Sequence, residues 1–233
     1  MREVKLTALV GAIGIYLGVL ATPLLAGSIG LGVSGEAMFI ETVGKETLKS
    51  SAATQSAKED AAALVPSGYL QYTFGDDGFV IGYEYTPGKA TLGEHERTKS
   101  ELQSNVEVRK NVTNKAEAEL TNLQSIYVET PGAFGGASGG LFLGAGLTYV
   151  NLKTLENLAT GAAYKDQNVW GKKVSMGWRG SSDDGKGILT KVSAVYTDYD
   201  HITLRDQNNS LGQTIIDGDI ETWGLKLSIG YNF

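Results

Sequence analysis

The sequence predicts an all-β chain closed into an eight-stranded antiparallel up-and-down barrel. Three observations predict it. Apolar residues alternate with small or polar ones at period two over several stretches, the pattern of a strand with two unlike faces. Eight such stretches are joined by connections of alternating length. They run very roughly 17 to 33 residues after strands one, three, five and seven, and 3 to about 10 after the others, as in up-and-down barrels. The 233 residues include 31 glycines and 11 tyrosines but only 4 prolines, a composition that suits short strands, tight turns and aromatic belts.

Residues 1–26 stand apart from this pattern. Arg2 and Lys5 precede an apolar run over 6–20, and Val19-Leu20-Ala21 and Leu24-Leu25-Ala26 both end on a small residue. A basic start, an apolar run and a small-residue exit read as a secretory signal peptide, with cleavage near 21 or 26. A retained helix is the alternative, because ~20 apolar residues span a bilayer. Pro23 and the glycine-rich strand that follows favour cleavage. No later segment is apolar enough to cross as a helix, so any membrane span must be made of strands.

The first strand is expected over 28–41. Ile29, Leu31, Val33, Ala37 and Phe39 share one face, and Gly30, Gly32, Ser34, Glu36 and Met38 the other. Residues 42–66, rich in Ala, Ser, Lys and Glu, read as a wet, partly helical loop. Alternation resumes over 68–74 with Leu70, Tyr72 and Phe74, and returns over 79–85 with Phe79, Ile81, Tyr83 and Tyr85. Gly75-Asp76-Asp77-Gly78 between them is a tight turn, since Asp and Gly tolerate positive φ. Residues 88–119 are long, charged and helix-friendly in composition, and read as a second hydrophilic loop.

Over 120–128 the faces are ambiguous: Leu123, Ser125 and Tyr127 compete with Gln124, Ile126 and Val128 for the outside. Residues 131–140 form a Gly/Ala/Ser turn. The strand over 141–150 is clean, with Leu141, Leu143, Ala145, Leu147 and Tyr149 on one face. Over 169–179, Trp170, Val174, Met176 and Trp178 align and Lys172 interrupts the row. Asp183-Asp184-Gly185 turns the chain into a looser strand over 188–199. After a polar loop, 220–233 alternates strictly: Trp223, Leu225, Leu227, Ile229, Tyr231 and Phe233 against Gly224, Lys226, Ser228, Gly230 and Asn232.

Lipid is expected outside this barrel. The apolar rows carry too many large residues for the interior of eight strands, which only just holds its side chains, and the opposite rows are rich in glycine. Tyr69, Tyr149, Trp170, Trp178, Trp223 and Tyr231 fall near strand ends, as interfacial girdles do. A sheet in hydrocarbon cannot leave edges unpaired, so the first and last strands should meet. With the N-terminus in the periplasm, every long connection lies outside and every short turn inside. Charges that point inward must then be paired. The expected lumen network is Glu36, Glu84, Lys173 and Lys226, with Lys191 or Arg179 as further members. Its functional reading is ion passage or gating; its plain reading is a polar plug.

The last eleven residues resemble the terminal signature of bacterial outer-membrane proteins. That signature is a final aromatic residue preceded by apolar residues at alternate positions, here Phe233, Tyr231, Ile229, Leu227 and Leu225. The 27–233 segment resembles the small eight-stranded, porin-like outer-membrane barrels over its strands, not over 42–66 or 88–119. The resemblance implies a bacterial outer-membrane location among lipid and lipopolysaccharide, recognition by the barrel assembly machinery, and a monomer. It leaves function open among envelope stability, surface contact with proteins or phage, narrow channels and a few lipid enzymes. A structural or surface-interaction role is expected first, and a narrow channel for ions or small solutes second.

Composition excludes other classes. With no cysteine there is no disulfide, thiolate metal site or cysteine nucleophile. The net charge of −6 and scattered basic residues argue against nucleic acid. His95 and His201, both beside acids, lack the spacing of a catalytic metal site. No serine is singled out as a nucleophile, and the glycine run over 135–140 lacks the ending of a phosphate loop. No catalytic residue, cofactor or metal is expected.

Overall fold

The computed structural model describes residues 27–48, 53–75, 78–102, 109–134, 139–157, 164–183, 186–205 and 214–233. Residues 1–26, read as a signal peptide, lie outside them. The regular structure among the described residues is entirely strand: β1 (Gly27–Leu48), β2 (Ala53–Phe74), β3 (Val80–Leu102), β4 (Arg109–Glu129), β5 (Gly139–Asn157), β6 (Gln167–Asp183), β7 (Lys186–Tyr199), β8 (Ile202–Arg205) and β9 (Thr214–Asn232). Neighbours pair antiparallel. β1 closes on β9 from Gly30↔Asn232 to Leu48↔Thr214, so β1–β7 and β9 form a ring of eight. The short β8 lies outside the ring, against the outer part of β9.

The ring is lipid-facing by its own surface. Leu225 and Leu227 are 63% and 67% exposed, while Lys226 between them is 8% exposed. The same alternation runs around the wall. Ile29, Leu31, Val33, Ile81, Ile126, Leu143, Leu147, Met176 and Val192 point out. Two aromatic levels bound this belt. Near the short turns, Tyr72 packs on Phe74 and Tyr231 on Phe233, with ring centroids 4.9 and 5.0 Å apart. At the other end, Tyr149 meets Trp170 at 5.0 Å and Tyr196 meets Trp223 at 4.6 Å. Tyr69, expected in a girdle, instead points inward and is buried. Its hydroxyl occupies the space that a Cβ on Gly32 or Gly230 would need, 2.6 and 2.4 Å away.

The strands run well past the belt. β1 and β2 have 22 residues each and β3 has 23, about twice the ~9–11 that a tilted crossing strand needs. The long outer connections are therefore built largely as strand. β1 and β2 stay paired from Phe39↔Ala62 to Leu48↔Ala53, and β3 and β4 from Ala90↔Leu120 to Leu102↔Arg109. The coil and helix expected over 42–66 and 88–119 give way to these hairpins, and no helix occurs among the described residues. Pairing to β1 and β4, which are themselves bonded on their far sides to β9 and β5, carries these strands on without a continuous apolar row. The helix preference of Ala, Lys and Glu is a weak local bias that such pairing overrides.

One seam interrupts the wall. β2 and β3 pair only from Thr73↔Val80 to Gly68↔Tyr85. Carried two residues further, that register sets Pro66 opposite Pro87. The Phe74 N–H donates to the Phe79 carbonyl, so even-numbered residues of β2 turn their backbone groups toward β3. Pro66 and Pro87 thus fall at a position where two backbone bonds would be exchanged, and neither has an N–H. Beyond it, Gly88 at φ +104° and a register shift between Thr86 and Lys89 turn β3 aside.

Candidate functional site

The interior is filled at three levels. At mid-barrel, Lys226 Nζ donates to both oxygens of Glu84, at 2.7 and 2.8 Å, and lies 3.0 Å from Glu36. Lys173 Nζ reaches the same Glu84 carboxylate at 2.8 Å, and the Ser67 hydroxyl donates to it at 2.6 Å. Glu36, Glu84, Lys173 and Lys226 are therefore one connected group. Closure of β1 on β9 sets Glu36 directly opposite Lys226. Gly224 makes room for this: a Cβ there would lie 2.2 Å from a Glu36 carboxylate oxygen.

Nearer the short turns, Lys191 Nζ donates to both Glu129 oxygens at 2.9 Å and to Gln71 Oε1 at 2.6 Å. Its ammonium also sits 5.5 Å from the ring centroids of Tyr69 and Tyr127. Such faces attract a cation through the ring quadrupole. Arg179 Nη1 is 3.6 Å from Glu129, and its Nη2 donates to the Gly78 carbonyl in the β2–β3 turn. Arg179 and Lys191 thus belong to a second cluster, apart from the mid-barrel group. Gly82 admits the Tyr127 ring, which a Cβ would approach to 2.2 Å.

Toward the long hairpins the lumen turns apolar. Met38, Ile40, Leu92, Leu120, Val150 and Ile220 are buried together. Among the described residues, small internal spaces separate these layers: one of ≈ 40 Å³ among Tyr69, Glu84, Glu129 and Lys191, and one of ≈ 20 Å³ between Glu36, Lys226 and Met38. Each has room for a few waters.

Sequence reasoning missed Gln71, whose position alternates with the apolar row Leu70, Tyr72 and Phe74, and Glu129, whose strand it left with ambiguous faces. It also missed the apolar layer. Its signal was available at Phe39-Ile40 and Tyr149-Val150, where both faces of a strand are apolar at once.

The two histidines stand apart. His95 is opposite Ala116 on the β3–β4 hairpin. His201 precedes β8, with Nδ1 2.9 Å from Asp219 and Nε2 3.6 Å from Asp217, which also accepts from Thr203 at 2.8 Å. The hydrogen bond to Asp219, with the charges of Asp219 and Asp217 behind it, raises the His201 pKa above its ordinary value. Among the described residues no set of three or more His, Asp or Glu is arranged to hold a metal ion.

Ring closure, apolar belt and packed polar lumen define a transmembrane β-barrel of the outer-membrane type. The chain is similar to the outer membrane protein OprG of Pseudomonas aeruginosa, at 16% identity over 87% of this chain and 96% of that one, TM-score 0.47. It is similar to the Neisserial surface protein A, at 10% identity over 89% and 99%, TM-score 0.43. It is similar to the outer membrane protease OmpT of Escherichia coli, at 10% identity over 88% and 97%, TM-score 0.45. No protein-family model and no curated protein sequence matches the chain. The barrel architecture by itself does not choose between contact, transport and catalysis.

Proposed function

We propose that the protein is a bacterial outer-membrane barrel with a closed lumen, which anchors a strand-built platform at the cell surface. The observation that carries the reading is the filled interior. Two ion-paired clusters and an apolar layer lie in series, and the spaces between them are water-sized. A hydrated ion would have to break buried pairs and then cross a dry layer, where leaving its water costs several kcal/mol or more. The charges at Glu36, Glu84, Lys173 and Lys226 satisfy one another, which suits a polar plug.

The belt faces membrane lipid, with lipopolysaccharide in the outer leaflet. Exposed Phe233 and its alternating apolar neighbours offer the assembly machinery its signature. The reading is non-catalytic: His201 is engaged by Asp219 and Asp217 in a ribbon on an exposed edge, and among the described residues no supported nucleophile lies beside them.

Reconstitution in planar bilayers tests the role. The expected trace is flat, with no unitary steps. Reproducible openings that change with Lys226→Ala or Glu36→Ala would establish a narrow channel in place of this reading.

A further inference from the structure

Above Pro66 the β2 strand is paired on one side only. β1 holds its odd-numbered residues. The seam leaves the backbone groups of Thr54, Ser56, Asp60, Ala62 and Leu64 facing away from the ladder, with no strand pairing to them among the described residues. Residues 54–60 are exposed on both faces, so nothing described covers this edge. Its seven residues extend about 23 Å, enough for a strand of ordinary length.

An edge of this kind is a template for another backbone. The usual protections are weak here: Lys58 lies between Glu41 at 3.0 Å and Asp60 at 3.9 Å, so one lysine serves two carboxylates and Glu59 adds a further negative charge. Beyond β1, β9 adds Asp217, Asp219 and Glu221 to the same sheet, so the platform as a whole is acidic. We propose that β2 over 54–64 docks an extended, basic segment of a soluble polypeptide, which adds antiparallel as a further strand.

A second copy of the chain does not fit this edge. Two copies in one membrane, related by an axis along its normal, present their β2 strands in the same direction, and both edges are acidic. The partner therefore comes from solution. The inference rests on the surface-platform reading and names the class of partner for it.

The test uses the full barrel in lipid nanodiscs and two probes. One is a nine-residue peptide of alternating lysine and valine. The other is the same peptide with every backbone N–H methylated, which keeps the charge and removes the donors. The expected result is that the unmethylated peptide binds about tenfold or more tightly than its methylated form. Ser56→Pro, which deletes one outward N–H and spares the β1 ladder, should weaken binding by a similar factor while the barrel keeps its heat-shifted gel mobility. Equal binding of both peptides, or no binding of either at millimolar concentration, overturns the proposal. Channel steps in the same preparation would overturn the closed-lumen reading alone and leave the peptide result to stand or fall separately.

Discussion

Within the apolar belt, the eight strands form a ring with no free edge. Above it the same strands part at Pro66 and Pro87 into a β2-β1-β9-β8 sheet on one side and a β3-β4-β5 sheet on the other. The difference teaches what each solvent enforces. Hydrocarbon has no hydrogen-bonding partner to offer, so every backbone group in the belt must be paired internally. Water can satisfy an open edge, so the outer sheets are free to separate. The inside follows the same division. The ring encloses charges that must match, whereas the outer platform carries charges that water can screen.

The largest expected effect breaks the ring from within. Lys226→Met leaves Glu36 buried without its cation and Glu84 with only Lys173. Removing one partner of a buried pair costs about 3–5 kcal/mol. Lys45→Ala on the platform, where side chains are exposed, should stay within about 0.5 kcal/mol. Urea midpoints of the refolded barrel, read by gel mobility, measure both. Equal midpoints would mean that the lumen pairs are hydrated and carry little.

Glycines sharpen the comparison of inside with outside. Gly82→Ala places a methyl 2.2 Å from the Tyr127 ring, and overpacking of this kind costs about 1–3 kcal/mol. Gly35 faces the lipid side with nothing within 4 Å of a built Cβ, so Gly35→Ala should be silent to within about 0.5 kcal/mol. The same urea titration checks the pair, and a silent Gly82→Ala would put the Tyr127 ring elsewhere.

A smaller change tests what holds the seam. Pro66→Val together with Pro87→Val restores two donors at the point where pairing fails. Each new bond is worth about 0.5–1.5 kcal/mol net. The ladder should extend upward, and hydrogen exchange at the Ala62 and Leu64 amides should slow. Unchanged exchange would show that Gly88 and the bulge beside it, not the missing donors, keep β2 and β3 apart.

The stretches of strand that lie within the belt were the legible ones. In β9 lipid meets one face and matched charges the other, so Leu225 to Phe233 alternate without a break. β4 was not legible, because Asn122 at φ +54° sits in a register shift between Thr121 and Gln124. The parity above it differs from the parity below. Ile126 is outward and Ser125 inward, but Leu120 is inward as well. The lumen charges could be listed from parity alone, yet their division into a Glu84 group and a Glu129 group depends on stagger between strands, which no single strand records. The seam was hidden for the same reason. Pro66 and Pro87 lie 21 positions apart in the sequence, and only the β2–β3 register makes them opposite.

The smallest expected effect is confined to the platform and depends on pH. The Asp219 hydrogen bond raises the His201 pKa in the folded chain above its ordinary value of ~6.5. A group with a raised folded pKa stabilises the fold fully at pH values below its unfolded value. That contribution fades as pH rises through the folded one. Protonated His201 therefore pins the β8–β9 ribbon in mildly acidic solution, and the ribbon loosens as the pH climbs past the raised value. The His201 ring signals in an NMR titration should move at a pH above 6.5, and amide exchange at Thr203 and Leu204 should quicken over the same interval. Asp219→Asn should bring the midpoint back toward the ordinary value and flatten the exchange response, while the ring below keeps the same urea midpoint over that pH interval. A His201 midpoint at or below 6.5 in the unaltered chain would break the link between this ribbon and its carboxylates.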